Sequence, residues 1–182
     1  MTKRTKRTSE RGFTLIEMMV AVAVLGILAA IVIPSFIKDS RKGRSKAEIQ
    51  SVFSDLRTRM DQYLQENGQY PASLGEATLW PASPSSTKQS IIASMPAAWI
   101  ALKIRISGSD MVNCGYTWVT GAANTGTNIG AVAAAAPFNF TAPVTAWYYL
   151  LARCNLDNSA TVDTYYISTS VDPTIKVINE GH

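Results

Sequence analysis

The stretch GFTLIEMMVAVAVLGILAAIVIPSFI, residues 12–37, decides how this chain is built. From Phe13 to Ile37 the only charged residue is Glu17. A helix over this segment would be about 37 Å long, enough to cross a hydrocarbon core of roughly 30 Å with some tilt. The composition therefore predicts a membrane-spanning helix over residues 13–37.

Two other interpretations of this apolar segment fit less well. A helix in the core of a small protein is rarely apolar on every face for so many turns. A cleaved secretory signal ends after a short apolar region at a small-residue site. The tripeptide Ala21-Val22-Ala23 has the spelling of such a site, but the apolar run continues beyond it to Ile37.

Glu17 distinguishes this helix from a simple anchor. A carboxylate deep in a bilayer costs about 2.5–3.5 kcal/mol, so such residues usually have a partner or a function. Glu17 lies four residues after Phe13, on the same helical face. A cut between Gly12 and Phe13 would create an α-amino group near Glu17, and a neighbouring subunit would offer the same group. The alternative is that Glu17 simply lies among the lipid headgroups.

The residues around Glu17 resemble a known signature. A basic leader ending in Gly12, Phe13 after it, Glu17 four residues later, and an apolar helix with Gly26 and Pro34 are similar to the prepilins of the type IV pilin superfamily. The resemblance covers residues 1 to about 70. It implies that a prepilin peptidase cleaves after Gly12 and methylates the amine of Phe13. It also implies that Glu17 neutralises a neighbour's amino terminus during fibre assembly.

The net positive charge of the chain belongs largely to the leader. The chain has 17 Lys and Arg against 13 Asp and Glu, and residues 1–12 carry five of the cations and one of the acids, which leaves 12 of each. The basic balance is therefore poor evidence for a nucleic-acid partner. A second cationic block, here named the collar, follows the apolar segment and consists of Lys38, Arg41, Lys42, Arg44 and Lys46. The collar fits solvent or lipid headgroups; the alternative is the DNA bound by uptake pili.

The helix is expected to continue in amphipathic form over residues 38–67. Asn67-Gly68 supplies a left-handed C-cap and Pro71 prevents continuation. Pro34 should bend or loosen the helix, because it removes a backbone donor and clashes with the preceding turn. The apolar face consists of Ile49, Val52, Phe53, Leu56, Met60, Tyr63 and Leu64.

Residues 68–182 are expected to form a head domain with one modest core. We predict an antiparallel sheet laid on the amphipathic part of the helix, an α+β fold of the pilin kind. Residues 80–90 and 121–143 are expected to be loops, the latter a long surface loop with a possible helical turn at Ala131–Ala136. The predicted strands are Trp99–Ile106, Tyr116–Thr120, Trp147–Arg153, Thr164–Ser170 and Ile175–Ile178.

Cys114 and Cys154 are the only cysteines. An even pair in a domain outside the inner membrane, with no metal-ligand pattern around it, favours a disulfide that would be worth roughly 4 kcal/mol. Two free buried thiols are the alternative. Many type IV pilins enclose a variable region with a C-terminal disulfide, which this pair resembles, although the tail after Cys154 is longer than usual.

The sequence gives little support for catalysis. It has no P-loop, no nucleophile elbow and no histidine pair, and its one histidine is the terminal His182. We predict no cofactor and no metal. Asn139-Phe140-Thr141 spells a glycosylation sequon, a match that is common by chance. The scattered acids could bind calcium, as a loop of major pseudopilins does, but their spacing fits no recognised loop; they are Asp110, Asp157, Asp163 and Asp172.

The sequence therefore predicts a non-enzymatic type IV pilus subunit. It would begin as an inner-membrane precursor with its head outside the cytoplasm, and would then form an extracellular filament with copies of itself or other pilins. Its further partners would be the prepilin peptidase and the assembly machinery. The first alternative is a pseudopilin of a type II secretion system, in a periplasmic pseudopilus. The second is an uncleaved, membrane-anchored binding or sensory module.

Overall fold

A computed structural model describes residues 12–104 and 110–180 of this chain. It divides into two compact units, with the boundary between Ile37 and Lys38. The elements, in chain order, are α1 (Leu15–Asn67), β1 (Gln89–Ser90), α2 (Ala97–Ala101), β2 (Met111–Val112), β3 (Gly115–Gly121), α3 (Ala131–Ala134), β4 (Trp147–Cys154), β5 (Thr164–Thr169) and β6 (Lys176–Ile178).

In the first unit, α1 exposes its side chains in every direction. All described residues from Gly12 to Ile37 are exposed, including Phe13, whose exposed fraction is 83%. Among the described residues, α1 is the one helix long and apolar enough to cross a membrane. Pro34 lies inside α1, and the helix continues through it.

In the second unit, one face of α1 becomes buried. Its buried residues recur at the three- and four-residue spacing of a helix: Ser45, Ile49, Val52, Phe53, Leu56 and Met60. The helix ends where the sequence predicts, because Gly68 adopts a φ of +72° and its N–H donates to the carbonyl of Leu64 at 2.8 Å. The side chain of Asn67 donates to the carbonyl of Tyr63 at 3.0 Å.

Strands β3 to β6 form a four-stranded antiparallel sheet in chain order. The predicted α+β fold, with this sheet packed on the second part of α1, is confirmed. Its register places Trp118 opposite Leu150 and Leu151 opposite Ile167. The four strands predicted from Tyr116 onwards are confirmed, with ends that differ by one residue at most.

The sheet is buried on both faces. On the α1 side, Tyr116, Trp118 and Leu150 pack with the buried face of the helix. On the other side, Val119, Ala133, Phe138, Trp147, Tyr149, Leu151 and Ile167 form a second core. The segment over residues 121–146 supplies Ala133 and Phe138, so it covers the sheet and is more than the surface loop that its composition predicts.

The strand predicted over Trp99–Ile106 is wrong. Residues Ala97–Ala101 form the short helix α2, and residues 105–109 lie outside the described part of the chain. The N–H groups of Trp99 and Ile100 both donate to the carbonyl of Pro96, at 2.9 and 3.1 Å, which begins a helical turn. Trp99 then packs on Trp118 with ring centroids 5.1 Å apart.

The disulfide between Cys114 and Cys154 is confirmed, and the alternative of two free thiols is wrong. Gly115 pairs with Arg153 at the ends of β3 and β4, and this places the two cysteines side by side with Cα atoms 4.3 Å apart. Both cysteines are buried. A Cβ on Gly115 would lie 2.5 Å from the carbonyl oxygen of Pro81, so only glycine fits beside this bridge.

Candidate assembly site and the head-domain carboxylates

The predicted cleavage bond lies just outside the helix. Gly12 and Phe13 are exposed, and α1 begins at Leu15. No heavy atom outside its immediate neighbours lies within 4 Å of a Cβ placed on Gly12. The remainder of the predicted leader, residues 1–11, lies outside the described residues. The described side of the bond is therefore open.

Glu17 caps the first turn of α1 together with Thr14. The backbone N–H and the hydroxyl of Thr14 both donate to Glu17 Oε2 at 3.0 Å, and the N–H of Glu17 donates to Thr14 Oγ1 at 3.3 Å. This reciprocal arrangement is a capping box, which satisfies backbone donors that a helix start leaves free. The spacing T-x-x-E before an apolar run is its sequence signal, and Thr14 and Glu17 carry it.

A second carboxylate, Glu48, connects α1 to the disulfide. It accepts the N–H groups of Asn113 and Cys114 at 2.9 Å and the hydroxyl of Tyr116 at 2.7 Å. Burial, followed by the negative charge of Glu48, raises the pKa of Tyr116 well above its ordinary value, so the phenol remains a donor. Glu48 was not predicted as a site residue, because its partners lie far away along the chain.

A third carboxylate, Glu76, holds the covering segment against the sheet. It accepts the N–H groups of Val132 and Ala133 at 2.9 and 2.8 Å and the hydroxyl of Tyr149 at 3.1 Å. Burial raises the pKa of Tyr149, and the N–H of Gly130 that donates to its hydroxyl lowers it in part. Because this network is satisfied on every side, we assign it a structural role.

The scattered acids do not converge on a metal site. Within residues 12–104 and 110–180, no group of three or more His, Cys, Asp or Glu could hold a metal ion. Asp172 accepts the N–H and the hydroxyl of Thr174 at 3.0 and 2.6 Å and pairs with Lys176 at 3.2 Å. These interactions lower the pKa of Asp172 to about 2.

Known proteins share the N-terminal features of this chain. The sequence model described as "Prokaryotic N-terminal methylation motif" matches residues 7–33, which include Gly12, Phe13 and Glu17. The motif, the long helix and the antiparallel sheet together define the class that this chain resembles, the superfamily of type IV pilins and pseudopilins, whose members are structural proteins and not enzymes.

Most of the named relatives belong to one branch of that superfamily. The chain is 39% identical over 71 residues to the type II secretion system core protein G of Klebsiella michiganensis, and this match covers 37% of the chain and 47% of the relative. The match to core protein G of Escherichia coli is 33% identical over 95 residues. It covers 48% of this chain and 65% of the relative. The type IV major pilin protein PilA of Myxococcus xanthus is 43% identical over 60 residues, with coverage of 33% and 27%.

The similarity to these relatives is partial. The chain spans about half to two thirds of the length of the core protein G relatives named above. No solved structure matches the fold.

Proposed function

We propose that this chain is the precursor of a pseudopilin, a subunit of the short fibre of a type II secretion system. The observation that carries the proposal is the methylation motif on an apolar helix whose described side chains are exposed in every direction up to Ile37. Such a surface needs an apolar environment outside its own chain. The inner membrane supplies it before assembly, and neighbouring helices supply it in the fibre.

The relatives favour a secretion fibre over a surface pilus. Most of the named relatives are core protein G of type II secretion systems, whereas one is a major pilin. The type IV pilus expected from the sequence is therefore the second candidate, supported by the 43% identity to PilA. The uncleaved anchor has less support, because the matched motif extends across the bond that such a protein would keep intact.

We further propose that successive segments of the chain have different roles. Residues 1–12 are a leader that the prepilin peptidase removes, and residues 13–37 form the membrane span and then the fibre core. Residues 38–67 are the spine on which the head, residues 68–182, is built. Pro34 gives the core helix the freedom to bend. The head lies outside the cytoplasm, where Cys114 and Cys154 can be oxidised.

The capping box is compatible with an assembly role for Glu17. Among the described residues, Thr14 engages only one carboxylate oxygen, Oε2. A carboxylate has about four acceptor positions. Once the leader is removed, the methylated amine of Phe13 on a neighbouring subunit can pair with the remaining oxygen while Thr14 keeps its hydrogen bonds. In a medium of low dielectric this pairing fixes the register between helices.

A complementation experiment tests the proposal. In a strain that lacks this gene, the natural chain should restore export of secreted enzymes and produce no long surface fibres by immunoelectron microscopy. Glu17→Ala should accumulate in the membrane at normal levels yet fail to restore export. The matched control is Glu66→Ala, which removes an exposed acid from the other end of α1 and should restore export.

Two outcomes contradict this proposal. Abundant surface fibres with unchanged export would favour the type IV pilus instead. Normal function of Glu17→Ala would refute the assembly role of the carboxylate.

A further inference from the structure

We propose that the collar binds the phosphate groups of anionic phospholipids while the precursor is held in its membrane. This inference rests on the membrane stage of the proposed function. The collar lies entirely within α1, which continues without a break from the apolar segment into residues 38–46. When residues 13–37 span a bilayer, the first collar residue enters the headgroup layer.

Several collar cations lack an acidic partner in the described part of the chain. Lys42 lies 3.8 Å from Asp39, and Lys46 lies 2.9 Å from Glu180. Within residues 12–104 and 110–180, the other three collar cations have no carboxylate oxygen within 4.0 Å; they are Lys38, Arg41 and Arg44.

After the collar, most cations among the described residues have a partner. Arg59, Lys103, Arg153 and Lys176 each pair with an acid, and Arg57 donates to the hydroxyl of Ser168 and the carbonyl of Pro173. Lys88 is an exception among the described residues. Within residues 12–104 and 110–180, the unpaired cations are thus concentrated just after the apolar segment.

The position of the collar calls for external anions. The proposed topology puts five cations on the outer side of the membrane, whereas positively charged flanks normally remain on the cytoplasmic side. Placing them outside is unfavourable for insertion unless negative groups surround them. Phospholipid phosphates at that depth meet this need, and each Lys or Arg near an anionic surface strengthens binding about fivefold.

The composition favours a lipid over a nucleic acid. Residues 38–46 contain no aromatic side chain on which a base could stack. After Ile49 the chain has seven cations against nine acids, so a long polyanion that left the collar would meet a slightly acidic head. A lipid headgroup is small enough to contact the collar alone.

Native mass spectrometry of the full-length chain in neutral detergent tests the inference. The chain is offered equal amounts of phosphatidylglycerol and phosphatidylcholine. We expect the natural chain to retain phosphatidylglycerol at least about tenfold better, given three free cations. The triple variant Lys38→Gln, Arg41→Gln, Arg44→Gln should lose this preference. Two control variants should keep it: Lys38→Arg, Arg41→Lys, Arg44→Lys, which preserves the charges, and Lys88→Gln, which removes a cation outside the collar.

The alternatives give different results. Equal retention of both lipids by the natural chain, or an unchanged preference in the neutralised variant, overturns the inference. Glycerol phosphate added in place of lipid should bind weakly; binding as strong as that of phosphatidylglycerol would show a free-phosphate site and also overturn it. Membrane fractionation distinguishes a failure of the lipid-binding inference from a failure of the proposed function. A chain recovered outside the membrane fraction would refute the membrane stage itself.

Discussion

The two parts of α1 place the same residue types in opposite environments, one exposed and one buried. Leu25 and Phe36, before the boundary at Ile37, are 63% and 72% exposed. Leu56 and Phe53, after it, are 0% and 2% exposed. The exposed fractions differ because of the surroundings. In the second part, apolar residues alternate with polar ones and pack on the sheet. The first part is apolar on every face and must find its partner outside the chain.

The largest expected effect comes from deleting a buried side chain in the second part. Leu56→Ala should lower the free energy of unfolding of the head by about 2–5 kcal/mol, because it leaves a cavity between α1 and the sheet. The free energy is measured by unfolding the full chain with denaturant in detergent and monitoring tryptophan fluorescence. The matched control, Leu25→Ala, should change head stability by less than about 0.5 kcal/mol. Equal losses from both variants would abolish the distinction between the two parts.

The next largest effect on head stability should come from removing an acid of the second part, Glu48, in contrast to Glu17 of the first part. Glu48→Ala removes the acceptor of Asn113, Cys114 and Tyr116, and should destabilise the head by about 2 kcal/mol. The same unfolding measurement applies. Glu17→Ala should leave head stability unchanged and act on assembly alone. A stable Glu48→Ala head would show that water replaces the lost acceptor.

The helix start should respond more weakly. Thr14→Val removes the hydroxyl of the capping box and should weaken the first turn of α1 by about 1 kcal/mol. Hydrogen exchange of the amides of Glu17 and Met18 in detergent should accelerate about fivefold. Thr58→Val is the control, since its hydroxyl donates to a carbonyl within the helix and caps nothing. Equal exchange in both variants would contradict the capping role.

The smallest effect concerns a partly exposed acid of the head, Asp172. The pKa of Asp172 is lowered from 3.8 to about 2. A depressed pKa in the folded state gives stability that is present above pH 4 and lost as the pH falls towards 2. Asp172→Asn should therefore flatten the pH dependence of head unfolding between pH 4 and pH 2. An unchanged slope would show that Thr174 and Lys176 do not favour the charged form.

Local signals predict much of the architecture. The apolar run, the three- and four-residue spacing from Ile49 to Met60 and the cap at Gly68 each depend on neighbours in sequence. The strands from Gly115 to Ile178 were predictable because aromatic and β-branched residues dominate them. The disulfide followed from the presence of two cysteines alone.

The remaining features depend on distant contacts. Helix α2 requires the carbonyl of Pro96 as acceptor and a place for Trp99 against Trp118, neither of which the alternating pattern reveals. The partners of Glu48 lie 65 to 68 residues away, so no periodicity could identify that network. Glu17 had a local signal in the T-x-x-E spacing. The role proposed for it between subunits involves a second chain, which one sequence does not show.

The most direct test of the account is the mass and sequence of the amino terminus of the chain purified from assembled fibres. We propose that the part of α1 before Ile37 becomes a fibre core only after the leader is removed. This proposal predicts a chain that begins at Phe13 and carries one methyl group on its amine. Fibres whose subunits begin at Met1, or at any residue other than Phe13, would contradict it.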